Sequence, residues 1–168
     1  MIAAIESVEG AIADANVQLI EYEKTMRSLE WSYFDYIQDR FGQLQKESEF
    51  LIGIMQNDRL FEDNGVYTAK GNATMGLRVM NYNAYMAQAD AYAKEMLRVS
   101  EALASDPNDT ALIERRETLL GLQQQMIQAA ESEKDAIRDL VSNGIQLELS
   151  ALKELIDQYT ESLDSAKD

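Results

Sequence analysis

The stretch 106–168, DPNDTALIERRETLLGLQQQMIQAAESEKDAIRDLVSNGIQLELSALKELIDQYTESLDSAKD, decides the fold of this chain. Asp106 followed by Pro107 is typical of a helix start, because the Asp side chain accepts hydrogen bonds from free backbone amides and Pro fits the first helical position. Pro107 is the single proline of the sequence. The stretch therefore predicts one helix over residues 107–167, which at about 1.5 Å per residue is roughly 90 Å long. A helix of that length favours a scaffolding role over a catalytic one.

Composition removes most kinds of active site. The chain has 168 residues, which favours one domain, and it contains neither His nor Cys. It therefore lacks the usual general base, the commonest transition-metal ligand and any disulfide. The acidic pairs Asp35/Asp39 and Glu131/Asp135 have helical spacing, but the di-iron pattern of helical bundles also needs histidines. We predict no enzyme activity, no catalytic residue, no metal and no cofactor.

The charge balance limits the partners. Thirty acidic residues against 15 basic ones give a formal net charge of −15. Nucleic-acid binding needs clustered Lys and Arg, and so does docking on an anionic membrane, so neither partner is expected. No apolar run approaches the roughly 20 residues of a membrane span, and the start lacks the pattern of a signal peptide.

The first helix is predicted over residues 2–58. Its apolar residues alternate steps of three and four, the heptad pattern of coiled coils: Ile5, Val8, Ile12, Ala15, Leu19, Tyr22, Met26 and Leu29. From Leu29 the pattern steps by four through Tyr33, Ile37 and Phe41. Extra steps of four locally unwind a supercoil, so a straighter bundle is expected there.

That change of phase coincides with four aromatic residues, Trp31, Tyr33, Phe34 and Tyr36. They indicate either a ligand pocket or a core in which several helices meet, and we favour the core because aromatic side chains dominate ordinary burial. The predicted bundle core consists of Trp31, Tyr33, Phe34, Ile37, Phe41, Tyr82, Met86, Met96, Leu119 and Met126.

A loop is predicted over residues 60–73, where the helical period fails. Its turn signals are Glu62-Asp63-Asn64-Gly65 and Gly71-Asn72, with room for one residue pair of strand. A second helix follows over residues 74–104, with Asn72 or Thr74 as its cap. The short turn at 105–109 then predicts that the second and third helices are antiparallel neighbours.

The predicted helices have unequal lengths. The second is about half as long as either neighbour, so the beginning of the first helix and the end of the third extend beyond it, provided that the third continues through Ser142-Asn143-Gly144. We therefore predict an all-α fold: an elongated antiparallel three-helix bundle or coiled coil with long protruding helices, a single helical rod over residues 1–168. Homo-oligomerisation through the protruding seams, or flanking sequence, would cover their apolar residues: Ile5, Val8, Ile12, Leu19, Leu152, Ile156, Tyr159 and Leu163.

Three segments carry a resemblance to a known family. They are residues 79–90 (VMNYNAYMAQAD), residues 112–137 and residues 147–168. Together they resemble the long tail tape measure proteins of phages and prophages of Gram-positive bacteria, from about Leu60 to the end of the chain. The resemblance implies a mostly helical protein that lies in the lumen of the virion tail tube, helps to set tail length and leaves the tube during genome ejection.

The resemblance also implies tail tube and tail assembly proteins as partners, and a location in the bacterial host cytoplasm before assembly. It implies no active site. The function predicted here is therefore a structural, non-enzymatic segment of a tail tape measure protein, contributing to tail length and assembly. The alternative is a cellular coiled-coil adapter or cytoskeletal scaffold domain, which would show the same heptads.

Overall fold

The computed structural model describes residues 1–167, in which three α-helices follow one another: α1 (Ile2–Met55), α2 (Ala69–Ser105) and α3 (Thr110–Lys167). The predicted all-α fold class is confirmed. Residue contacts divide the chain into two compact units, Met1–Gln43 and Leu44–Asp168. The single rod over residues 1–168 stays a prediction.

The helix caps differ from those predicted. The hydroxyl of Thr68, and not Asn72 or Thr74, caps α2 by accepting from the Gly71 amide at 3.1 Å. Asp106 closes α2 instead of opening α3, because its amide donates to the Ala102 carbonyl. The carboxylate of Asp109 then accepts from the Leu112 amide at 3.2 Å. The helix starts shift because a Thr or Asp side chain reaches the amide three residues ahead at each of them.

The connection between α1 and α2 is a small hairpin. Phe61 and Tyr67 form an isolated antiparallel bridge, which confirms the predicted residue pair of strand. Their ring centroids lie 4.8 Å apart. Gly65 makes the turn with a φ of 83°, a conformation that glycine adopts without a steric penalty.

The hairpin rests on the backbone of α3 at Gly144. α3 continues through Ser142-Asn143-Gly144 without a break. A Cβ added to Gly144 would lie 3.0 Å from Cε1 of Phe61, and one added to Gly65 would lie 2.4 Å from the Gly144 carbonyl oxygen. Gly144 therefore does not end the helix; it makes space for the hairpin.

The second unit is built around antiparallel packing of α2 against α3, joined by the short turn 106–109. Leu119 is fully buried at 0% exposure. The other buried apolar side chains of this unit are Ile52, Tyr85, Ala89, Tyr92, Val99, Leu103, Leu112 and Ala130. Polar residues also lie in this interior.

Three predicted core residues are exposed. Tyr33 is 67%, Phe41 45% and Met86 42% exposed, so their assignment to the core is wrong. Partial burial is found for the other predicted core residues besides Leu119: Trp31, Phe34, Ile37, Tyr82, Met96 and Met126.

The error has a physical cause. In the first unit Trp31, Phe34 and Gln38 form one heptad stripe and carry the burial, whereas Leu29, Tyr33 and Tyr36 form a second, exposed stripe. The predicted steps of four crossed from one stripe to the other. In α2 the same error arose because the buried face is largely polar, so that a search for apolar periodicity selected the neighbouring face.

Candidate interaction surface and polar interior

The inward face of α2 carries a polar heptad stripe. Its positions alternate steps of four and three, as coiled-coil core positions do: Thr74, Arg78, Asn81, Tyr85, Gln88, Tyr92, Glu95 and Val99. All of them are buried except Arg78, which is partly exposed. The stripe has core spacing, but five of its eight positions (74, 78, 81, 88 and 95) are polar.

Hydrogen bonds connect this stripe to both neighbouring helices. Within the second unit the amide of Gln45 on α1 donates to Oε1 of Gln88 at 2.7 Å. The hydroxyl of Tyr85 donates to Oε1 of Glu49 at 2.7 Å. These bonds join specific layers of α1 and α2, so they set which residues of the two helices lie opposite each other.

An ion pair joins α2 to α3. Nη1 of Arg78 lies 3.2 Å and 3.3 Å from the two carboxylate oxygens of Glu133. The Glu133 side chain is 7% exposed and the Arg78 side chain 27%. Removing two charges from water costs about as much as their attraction returns, so the pair contributes more to register than to net stability.

Tyr85 lies within this polar interior. Burial raises the pKa of its hydroxyl well above the ordinary value, and the hydrogen bond to Glu49 and the negative charges of Glu49 and Glu133 raise it further. The neutral phenol is therefore the form that the fold stabilises.

Several buried polar atoms of α1 and α2 have no hydrogen-bond partner among the described residues, including Oγ of Ser48 on α1 and, on the stripe, Oγ1 of Thr74 and Nδ2 of Asn81. Each such atom costs about 1–3 kcal/mol. Thr74 and Arg78 also line a cavity of about 220 Å³ together with Asp139 and Asn143.

The end of α3 presents an exposed apolar seam. Its residues fall on heptad positions a and d: Ile145, Leu149, Leu152, Ile156, Tyr159 and Leu163. They are between 47% and 67% exposed in the chain by itself. The sequence-predicted residues Leu152, Ile156, Tyr159 and Leu163 therefore lie together on one face of a continuous helix. We call this face the terminal seam.

The charges around the terminal seam are unevenly distributed. In the same heptad register Lys153 and Lys167 occupy e positions and Glu148 occupies a g position, directly beside the seam. The remaining carboxylates occupy b and f positions on the other side of the helix: Glu154, Asp157, Glu161 and Asp164. Attractive charge is thus available at the edges of the seam, and most of the acidic charge points away from it.

The first unit carries a similar apolar seam on α1. Its predicted residues Ile5, Val8, Ile12 and Leu19 are between 52% and 59% exposed. The flanking e positions hold Glu9, Glu23 and Glu30, whereas the g positions next to them hold uncharged residues. This seam offers no attraction between its own edges.

Sequence reasoning missed the polar stripe of α2 and its partners on α1 and α3. The signal was present as spacing, because Thr74, Asn81, Gln88 and Glu95 recur every seven residues. The periodicity of apolar residues alone does not reveal this stripe, since polar residues at that spacing usually indicate the solvated face.

Metal binding, membrane insertion and similarity to known proteins also bear on function. Among the described residues no group of three His, Cys, Asp or Glu side chains is placed to hold a metal ion, and no helix is long and apolar enough to cross a membrane. No protein-family model matches the chain, and no curated protein or solved structure matches it either.

Proposed function

We propose that this chain is a structural, non-enzymatic segment of a tail tape measure protein of a phage or prophage of Gram-positive bacteria, and that it contributes to tail length and tail assembly. The observation that carries the proposal is the terminal seam: three heptads of apolar side chains lie exposed on one uninterrupted helix. Burying such a seam stabilises an assembly by about 5–10 kcal/mol, comparable with the stability of a small domain. The segment is therefore built to pack against another chain.

The sequence resemblance adds the kind of assembly. Residues 147–168, which include all of the terminal seam except Ile145, are part of the resemblance to tail tape measure proteins. In this proposal the segment self-associates through its seams, and tail tube and assembly proteins surround it in the tube lumen.

The test is an in-frame deletion of residues 110–167, the whole of α3, in the phage or prophage that encodes the chain. At about 1.5 Å per residue, a tape that contains α3 lengthwise should lose on the order of 90 Å of tail. Tail lengths measured by electron microscopy over several hundred virions would resolve that change. Normal tail length, together with absence of the chain from purified virions by mass spectrometry, would overturn the proposal and favour a cellular adapter or scaffold.

A further inference from the structure

The charges beside the terminal seam distinguish between partner orientations. In a parallel pair of helices a g residue faces the e residue five positions later on the partner, so Glu148 faces Lys153 of a second copy, and the contact occurs twice by symmetry. In an antiparallel pair g faces g and e faces e. Glu148 would then face Val141, Leu155, Ser162 or another Glu148, and the nearest lysine at a g position, Lys134, lies two heptads away, before the seam.

Among the residues that the structure describes, neither lysine of the seam edge has an ion pair that would compete strongly. Lys167 contacts Asp164 at 3.7 Å, one turn away on the exposed surface, a contact worth little. Glu148 and Lys153 are both exposed on the same stretch of helix. Both are therefore accessible to a partner that approaches the seam.

The seam of α1 is a poorer match for the same face. An antiparallel α1 would place its e carboxylates near Lys153 but would face Glu148 with uncharged g residues: Ala4, Ala11, Gln18 and Thr25. A parallel α1 would place its e carboxylates opposite Glu148, which is repulsive. Pairing of the terminal seam with itself, in parallel, is the arrangement that satisfies both Glu148 and Lys153.

We infer that the terminal seam binds the terminal seam of a second copy of this chain, in parallel and in register, with reciprocal ion pairs between Glu148 of one copy and Lys153 of the other. The inference rests on the self-association included in the proposed function and adds its partner, direction and register. Three heptads of a and d residues, 145–166, form the contact, a length at which a coiled coil becomes a stable pairing.

Cysteine cross-linking tests direction and register, since the chain has no cysteine of its own. Ile145→Cys, Leu152→Cys and Tyr159→Cys place single thiols at three successive d positions of the full chain. A parallel in-register pair forms a disulfide-linked dimer at all three, whereas Glu161→Cys, on the outer f position, serves as the control and stays uncrosslinked. Cross-linking at only one position indicates an antiparallel pair and overturns the inference while leaving self-association intact.

Charge reversal tests the ion pairs. Glu148→Lys alone or Lys153→Glu alone should weaken self-association about tenfold in sedimentation equilibrium at low salt, and the double variant should restore it. Glu154→Lys at an f position is the matched control and should leave the dissociation constant within about twofold. Single variants that associate as tightly as the parent would overturn the assigned pairing.

Two outcomes separate this inference from the proposed function. A parent chain that sediments as a monomer at high concentration overturns the inference, and so does a disulfide between Ile12→Cys on α1 and Leu152→Cys on α3 of a mixed sample, which shows the other seam to be the partner. Neither outcome alters the tail-length measurement, which addresses the role in the virion.

Discussion

The two halves of α3 differ in where their apolar side chains lie. Before Gly144 the helix contributes Leu112 and Leu119 to a closed interior that also contains an ion pair and several buried polar groups. After Gly144 it presents an apolar seam whose side chains are 47–67% exposed. Buried polar and charged groups favour a unique register at a cost in stability. Under the proposed function the apolar half would gain its burial energy on association.

The largest effect expected from this contrast is on assembly. Leu152→Asp combined with Ile156→Asp should abolish self-association, because two charges replace apolar side chains at the centre of the terminal seam. The melting curve of the central helices should stay unchanged, since both residues are exposed in the single chain. Light scattering gives the mass and circular dichroism the melting curve. A variant that remains associated would show that the partner binds elsewhere.

A smaller but clear effect is expected in the closed half. Leu119→Ala removes a fully buried side chain and should lower the free energy of unfolding by about 2–5 kcal/mol. Its neighbour Leu120 is 46% exposed, so Leu120→Ala is the control and should cost under about 1 kcal/mol. Urea denaturation followed by circular dichroism compares the two. Equal losses would mean that position 120 is covered in solution.

The ion pair should show that the polar half favours register over stability. Arg78→Met leaves the Glu133 carboxylate buried without its partner and should destabilise by about 2–3 kcal/mol, reduced from a fully buried case because Arg78 is partly exposed. Adding Glu133→Leu should recover most of that loss, since a matched apolar pair avoids desolvation of charge. Failure of the second change to recover stability, measured by urea denaturation, would make the pair a net stabilising contact.

The smallest effect is expected at Tyr85. Tyr85→Phe removes the hydrogen bond to Glu49 and should cost about 1 kcal/mol at neutral pH. Because the pKa of Tyr85 is raised in the folded chain, the unfolded state releases this proton first, and stability falls as pH rises above about 10.

The loss of stability at alkaline pH distinguishes Tyr85 from an exposed tyrosine. Tyr85→Phe should show a shallower decline of stability above pH about 10 than the parent. Tyr36→Phe, at a tyrosine that is 61% exposed and outside both seams, is the control and should decline like the parent. Thermal denaturation over a pH series measures all three, and identical slopes would place the Tyr85 hydroxyl in contact with water.

The sequence predicted the helical content well and the buried faces less well. Apolar spacing predicted three helices and the seam at Leu152, Ile156, Tyr159 and Leu163, because these depend on local periodicity. Turn residues predicted the loop with one residue pair of strand. The buried stripe of α2 depends instead on pairings between distant residues, such as Gln45 with Gln88. Local spacing does not contain those partners, so Met86 was placed inside and Gln88 was overlooked.

The cap residues give the same lesson on a smaller scale. Asp106-Pro107 has the composition of a helix start, yet Asp109 caps α3 and Asp106 closes α2. Two acidic residues three positions apart offer two possible starts, and the packing of α2 against α3 decides between them. Gly144 likewise resembles a helix stop in the sequence. In the structure the Phe61 ring lies against Gly144, where a side chain would otherwise be.

The packing of the hairpin on Gly144 divides α3 into two parts. Tertiary contacts constrain the length of the part before Gly144, whereas the end of the helix is not constrained in this way. An insertion between residues 110 and 133 would displace Glu133 from Arg78 and Gly144 from Phe61, since even a whole heptad shifts the helix by about 10 Å along its axis. Residues 158–167 are all exposed, so seven-residue blocks could be inserted or deleted there while the packed part of α3 stays the same. Heptads gained or lost near the end of α3 would therefore change the length of this helix without changing the part that packs against α2.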